Sequence, residues 1–360
     1  MSDQDHKPLD EWADERAEAR FRENQQIQRK LRAARSAARE AEGELADVRN
    51  RLRVYEDIAT VELAPPEWLQ PPQAAGDKHK AIPSLVITDI HWGERVDPAE
   101  VEELNAYDTT IAEKRIKRAT TGCIKLCRDY LSGVEYDGIN VMLGGDLLSG
   151  TIHQELRETN IETPTESVVR VMEALVAGIR QLADHFGKVH AAAVVGNHGR
   201  TTKRARSKKR AADNYDGLVY RLIAHELRDD DRITMQVATG ADAYFSVYNT
   251  RYCLTHGDQF RGGSGISGAL SPLMLGLHRK RRRDQKAGNP WDVLVMGHWH
   301  QSYYLKDLIV SGAVVGYNEY AYTSNLPPEE ASAAMWLTTP ERGISTYMPV
   351  HLQRREQEGW

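Results

Sequence analysis

The chain has 360 residues, 41% of them hydrophobic, and a net charge of −5 from 47 basic and 52 acidic side chains. Such a length can bury a full core, with two domains or one large domain plus an appendage as the expectation. So mild a charge does not by itself point to nucleic acid. Three cysteines without a CxxC argue against a disulfide framework and fit a reducing cytoplasm. No apolar run approaches the ~18 residues of a membrane span, and the polar start carries no signal-peptide pattern; the expectation is a cytoplasmic chain without a membrane partner.

Residues 1–57 read as a helical arm. Ile27, Leu31, Ala34, Ala38, Ala41, Leu45, Val48, Leu52 and Tyr55 are spaced alternately four and three apart. That is a heptad seam along roughly 43 Å of helix. It fits a coiled coil joining two copies through residues 27–55, or a long helix lying on its own body. The narrow two-position stripe favours the coiled coil, and its three alanines predict a weak one. Residues 58–80 carry Pro65, Pro66, Pro71, Pro72 and Gly76 and read as a stiff linker.

The body spans 81–352, with a polar tail at 353–360. Strands are expected near 84–88, 139–143, 189–195, 232–238, 243–248, 251–255 and 293–296, and in the later stretches 309–315, 334–337 and 344–348. Helices are expected near 108–132, 165–186, 213–228 and 269–280. Strands alternating with helices, then runs of strands, indicate mixed α/β layers. Five of these apolar strands end in metal-type ligands beside glycine: Asp89 and His91, Asp146, Asn197, His256, then His298 and His300. Ligands of open α/β sheets gather beyond strand ends, so the five turns can converge. Carboxylate, imidazole and amide without cysteine suit Mn, Fe or Zn rather than a structural zinc site. Seven ligands suit two ions sharing a bridging carboxylate, which can hold a hydroxide and clamp phosphoryl oxygens. Hydrolysis of a phosphate ester is the chemistry indicated.

Asp89-Ile90-His91-Trp92-Gly93, Gly145-Asp146, Gly196-Asn197-His198, His256-Gly257-Asp258 and Gly297-His298-Trp299-His300 together resemble the motifs of the calcineurin-like metallophosphoesterases, in order, across about residues 82–305. The resemblance implies a four-layer sandwich of two mixed β-sheets flanked by helices. It implies one metal on Asp89, His91 and His300, a second on Asn197, His256 and His298, and Asp146 bridging them. His198 would bind no metal and would protonate the leaving oxygen as the catalytic acid. One departure stands out: that family usually has an acidic residue after the Asn-His pair, and this chain has Gly199 and Arg200.

Two basic runs bear on the substrate, residues 200–210 and 279–286. Both lie in connections to ligand-bearing strands, and together they could form a track for a polyanion. Arg200, Lys203 and Arg204 are the candidate substrate-binding residues. Trp92 and Trp299 could stack on bases or pack beneath the turns. His153, seven residues past Asp146, stays outside the expected site. The leading expectation is a manganese-dependent nuclease (exo- or endonuclease) acting on DNA, similar to the repair nucleases of that superfamily. The alternatives are a phosphomonoesterase acting on phosphoprotein or nucleotide, and a nucleic-acid-binding assembly protein with a vestigial site, against which the intact ligand set speaks.

Overall fold

The computed structural model describes residues 9–59, 79–260 and 270–360. It divides into two units, Met1–Thr60 and Val61–Trp360. In the first, helix α1 runs Leu9–Ala59. It is rich in Ala, Arg and Glu and has no proline, so propensity favours helix. Ile27, Leu31, Leu45 and Val48 of the seam are exposed. Most of the expected proline-rich linker lies outside the described residues. Among the described residues no helix is long and apolar enough to cross a membrane.

The second unit contains, in chain order, β1 (His79–Ile87), α2 (Thr109–Lys125, continued by a π-turn over Leu126–Tyr130), β2 (Val134–Tyr136), β3 (Ile139–Leu143), α3 (Gln154–Thr159), α4 (Pro164–Phe186), β4 (Val189–Ala193), α5 (Tyr215–Glu226), β5 (Ile233–Val237), β6 (Asp242–Val247), β7 (Thr250–Thr255), α6 (Leu270–Lys286), β8 (Val293–Met296), β9 (Tyr303–Tyr304), β10 (Leu308–Val310), α7 (Glu319–Thr323), β11 (Ser332–Thr339), β12 (Gly343–His351) and α8 (Arg355–Glu358). Local signals set the ends. Thr163 and Glu166 form a capping box with Pro164 in the first turn of α4, and Gly187 stops it at φ 75°.

The described strands form two mixed sheets. The first has the order β12-β11-β1-β3-β4-β5, with β2 also on β1; the second is β6-β7-β8-β10-β9. Strands β1, β3 and β4 are mutually parallel neighbours, as are β7 and β8. Successive side chains of a strand point to opposite faces, and the core follows that period. Leu85, Val141 and Ala191 face α2, α4 and α5 through Ile116, Leu175 and Val219. Val86, Met142 and Ala192 face the other way, onto Phe245, Leu254 and Val295 of the second sheet. The far face of that sheet buries Cys253, Leu294 and Leu308 under Leu273 and Leu277 of α6. Helices, sheet, sheet and helix make four layers, the architecture the resemblance implied. Cys123 and Cys127 are buried and unpaired, on the core face.

The chain end differs from expectation. Glu358 is buried and pairs with the fully buried Arg115 at 3.0 Å and with Arg118. A polar sequence hides this docking, because a buried carboxylate is stable only beside a cation that no local pattern reveals.

Candidate metal centre

Parallel alignment sends the ends of β1, β3 and β4 to one edge of the first sheet, and β7 and β8 end beside them from the second. The turns interlock. Asp89 and His91 donate their N–H groups to the carbonyls of Gly145 and Asp146 at 3.0 Å, and Gly297 N–H reaches His256 O at 3.0 Å. Across the sheets, His298 N–H donates to Asp89 Oδ2 at 2.9 Å. Glycine is required where these turns touch: a Cβ on Gly196 would collide with the Asp146 carboxylate, and one on Gly297 with Asp89. Five candidate ligands hold left-handed backbone: Asp89 (φ 52°), His91 (48°), Asp146 (49°), His298 (69°) and His300 (51°). Non-glycine residues seldom adopt this conformation, at a cost of about 1–3 kcal/mol each. Strain of that kind collected at one spot marks a site whose geometry matters more than its stability.

Two triads result, each with ligand atoms within 4.8 Å of one another: Asp89, His91 and His300, and Asp146, His256 and His298. Asn197 joins the second through Oδ1, 3.2 Å from His256 Nε2. Asp89 Oδ2 is occupied by Thr88 Oγ1 and His298 N. Its Oδ1 is buried without a hydrogen bond and faces His300 Nε2 at 3.4 Å and His91 Nε2 at 4.0 Å. A bare carboxylate oxygen facing two imidazole edges is a donor set that fits a divalent cation. In the second triad, His256 Nδ1 donates to Gly144 O at 2.8 Å, because a carbonyl can only accept. That tautomer turns the bare Nε2 toward Asp146 Oδ2 at 3.0 Å, and the outer hydrogen bond fixes the ring.

The electrostatics of the second triad favour positive charge beside its carboxylates. Burial alone would suppress charge on His256, but Asp146 and then Asp89 outweigh it and hold its pKa up at about 10. Burial likewise works against the Asp146 carboxylate, and His256 and His198 overcome it to push its pKa well down. His298 is lowered to about 4, by burial first and then by His256. A cation bound there would meet the same two carboxylates, Asp146 and Asp89, that favour positive charge at His256.

His198 lies beside the triads, half-buried. Its backbone N–H donates to Asp146 Oδ1 at 2.7 Å, and its Nδ1 donates to Ser149 O at 2.8 Å. Its ring meets that of His91 edge-on at 4.6 Å. His153, which sequence alone left outside the site, stands with its ring 6.0 Å from that of His198; seven residues of loop hide the approach. Two further residues escape the sequence motifs. Glu94 is buried 3.6 Å from His91 Nδ1 and accepts from Asn318 Nδ2 at 2.8 Å. Burial pushes its carboxyl up. Asp216 underlies the turns of β3 and β4, raised to about 6 by burial and by Asp146. Only packing could have found either.

The basic runs divide. In the first, Arg200 departs from expectation: its guanidinium donates to the carbonyls of Asn197, Thr202 and Lys203, bracing its own loop. Lys203 and Arg204 are exposed. Arg210 pairs with Asp258 at 2.6 Å and ties this loop to the β7 turn. A cleft lined by Asn197, Arg206, Lys208 and Lys209 adjoins the second triad. In the second run three cations are engaged, while Arg279, Arg282 and Lys286 are exposed. Lys280 and Arg283 hold the buried Asp242, and Arg281 pairs with Asp307 and stacks 4.6 Å over Trp291. Trp92 is 2% exposed and donates Nε1 to Glu162, so it packs beneath its turn rather than offering a stacking face. Trp299 lies partly buried against the outer core.

No protein-family model and no curated protein matches the chain. Among solved structures, it is similar to zinc-complexed Vps29 from Entamoeba histolytica (15% identity, TM-score 0.30, covering 76% of this chain and 100% of that one). It is also similar to a dimetal phosphatase from Danio rerio (12%, 0.34, 76% and 99%) and to a putative 5'-nucleotidase from Staphylococcus aureus (11%, 0.35, 76% and 55%). Likeness at these scores decides nothing about activity.

Proposed function

We propose that this chain is a two-metal phosphoesterase acting on phosphodiesters of nucleic acid, with manganese as its metal. The carrying observation is the pair of ligand triads on left-handed turns at the adjoining ends of two sheets. Asp89, His91 and His300 would hold one ion, Asn197, His256 and His298 the other, with Asp146 between. Bound there, the two cations would activate water and neutralise charge developing on the phosphoryl oxygens. The chain's own part is positional and protonic. The carbonyl of Ser149 holds the proton of His198 on Nδ1 and leaves Nε2 to deliver a proton to the departing oxygen. The nucleic-acid reading draws on the exposed lysines and arginines of 203–209 beside Asn197.

The test is cleavage of single-stranded DNA, duplex DNA, bis-p-nitrophenyl phosphate and p-nitrophenyl phosphate, with Mn and with EDTA. The proposal expects Mn-dependent cleavage of diesters, DNA included. Vigorous monoester cleavage with intact DNA would replace it by the phosphomonoesterase reading.

A further inference from the structure

The first turn of α5 enters the gap between two ligand turns. Asn214 caps the helix by accepting the N–H of Asp216 at 2.8 Å, and its own amide donates to Gly196 O at 3.0 Å. Tyr215 N–H reaches Gly199 O at 2.6 Å. Asp216, with no exposed surface, then accepts three backbone N–H groups: Asp146 at 3.0 Å and Gly196 at 2.9 Å on Oδ2, and Leu147 at 3.2 Å on Oδ1. Two of these come from the β3 turn carrying Asp146, and one from the β4 turn just before Asn197. A single carboxylate therefore staples the bridging ligand's turn to the amide ligand's turn.

The same carboxylate bears on Gly199, where the resemblance leads one to expect an acid. A Cβ at residue 199 would lie 2.8 Å from Asp216 Oδ1 and would strike Asn214 Oδ1. The space beside the Asn-His pair is already filled, by side chains from α5. We infer that Asp216 is a positioning residue for the metal pair, its carboxylate taking, from seventeen residues further along, the place where a side chain at 199 would sit. This rests on the two-metal reading above. Chemistry selects a carboxylate here, since three donors converge on two oxygens and an amide nitrogen would turn a donor toward a donor. The left-handed Asp146 needs such an external tie, because its backbone conformation is unfavourable on its own.

The test is manganese titration of the metal-stripped full chain, followed by electron paramagnetic resonance and calorimetry, without substrate. The parent protein should show the signal of two spin-coupled manganese ions. Asp216→Asn should weaken metal binding 10- to 100-fold, the usual effect of losing an outer-shell partner, and should give uncoupled single-ion spectra at parent-saturating metal. Val219→Ala, buried on the same helix, should behave as the parent. If Asp216→Asn does not fold, Asp216→Ser, which keeps one small acceptor, takes its place. A folded Asp216 variant with parental affinity and a coupled signal would overturn the inference. Equal loss in Val219→Ala would also overturn it, by making the effect one of helix stability alone. A parent without a coupled pair would instead remove the two-metal reading, and the inference with it.

Discussion

Asp146 carries more of the centre than any other side chain. One oxygen accepts from His198, the other faces His256, and its N–H is held by Asp216. Asp146→Ala should therefore abolish metal-dependent hydrolysis and manganese pairing together; a variant that keeps both in calorimetry and assay would remove the site. His198→Ala separates proton delivery from metal binding. On DNA, whose alkoxide leaving group needs a proton, the loss should be about 10²–10⁴-fold. On bis-p-nitrophenyl phosphate, whose leaving group does not, it should be far smaller, and kcat on the two substrates reads the difference. The convergence of the candidate ligands was legible because each lies in a glycine-bearing turn just past a short apolar strand. The bracing role of Arg200 was not legible for a related reason: a charged residue next to a motif looks like a substrate-binding group. Whether its guanidinium faces outward depends on loop carbonyls the sequence does not place.

At the scale of elements, the longer strands and helices were legible because their periods are set by which faces are buried, although β1 and α6 are longer and β10 shorter than expected, and the short β2, β9, α3, α7 and α8 were not anticipated. The partners of charged side chains were not. Helix α6 carries the second basic run, and Lys280 and Arg283 of that run are engaged in anchoring it to Asp242. Among the described residues, the 200–210 loop lines a cleft with Asn197. Replacing Lys203, Arg204, Lys208 and Lys209 with alanine should flatten the salt dependence of single-stranded DNA binding, by about 0.7 in slope for each phosphate left without its cation. Small-diester cleavage should stay unchanged; equal loss on both substrates would deny the loop a role in binding. Strand β4 carries a second testable device. His190 is buried, its Nε2–H donating to Gln236 Oε1 at 3.0 Å and its Nδ1 2.8 Å from the Asn140 side-chain amide, and burial lowers its pKa to about 4. The unfolded chain takes up this proton first, near pH 6.5, so the contribution to stability is full at pH 7 and is lost between pH 6.5 and 4. At pH 5 the loss from this group is about 2 kcal/mol. Urea midpoints should fall less between pH 7 and 5 in His190→Gln than in the parent.

Across the whole molecule, the metal edge is braced from the far end of the chain. Arg115 donates to Val314 O and Val315 O, and the N–H groups of those two residues donate to Thr88 O and Asp89 O. Glu358 supplies the counter-charge. Removing residues 355–360 would leave Arg115 buried and unpaired, at about 3–5 kcal/mol by analogy with broken buried pairs. A lower melting temperature should accompany weaker metal binding, and a truncated chain with parental values for both would disprove the brace. Mixed α/β layers were legible from strand and helix order, and the four-layer arrangement was implied by the resemblance the motifs carry. The C-terminal dock was not, since only the fold brings Glu358 to Arg115. The central claim concerns two cations held between two sheets. Its most direct test is hydrolysis of bis-p-nitrophenyl phosphate by metal-stripped protein during stepwise addition of manganese, with bound metal counted in parallel. The account predicts no activity without metal and a rise that saturates at two ions per chain. Undiminished activity in EDTA, or saturation of both binding and activity at one ion, would contradict it.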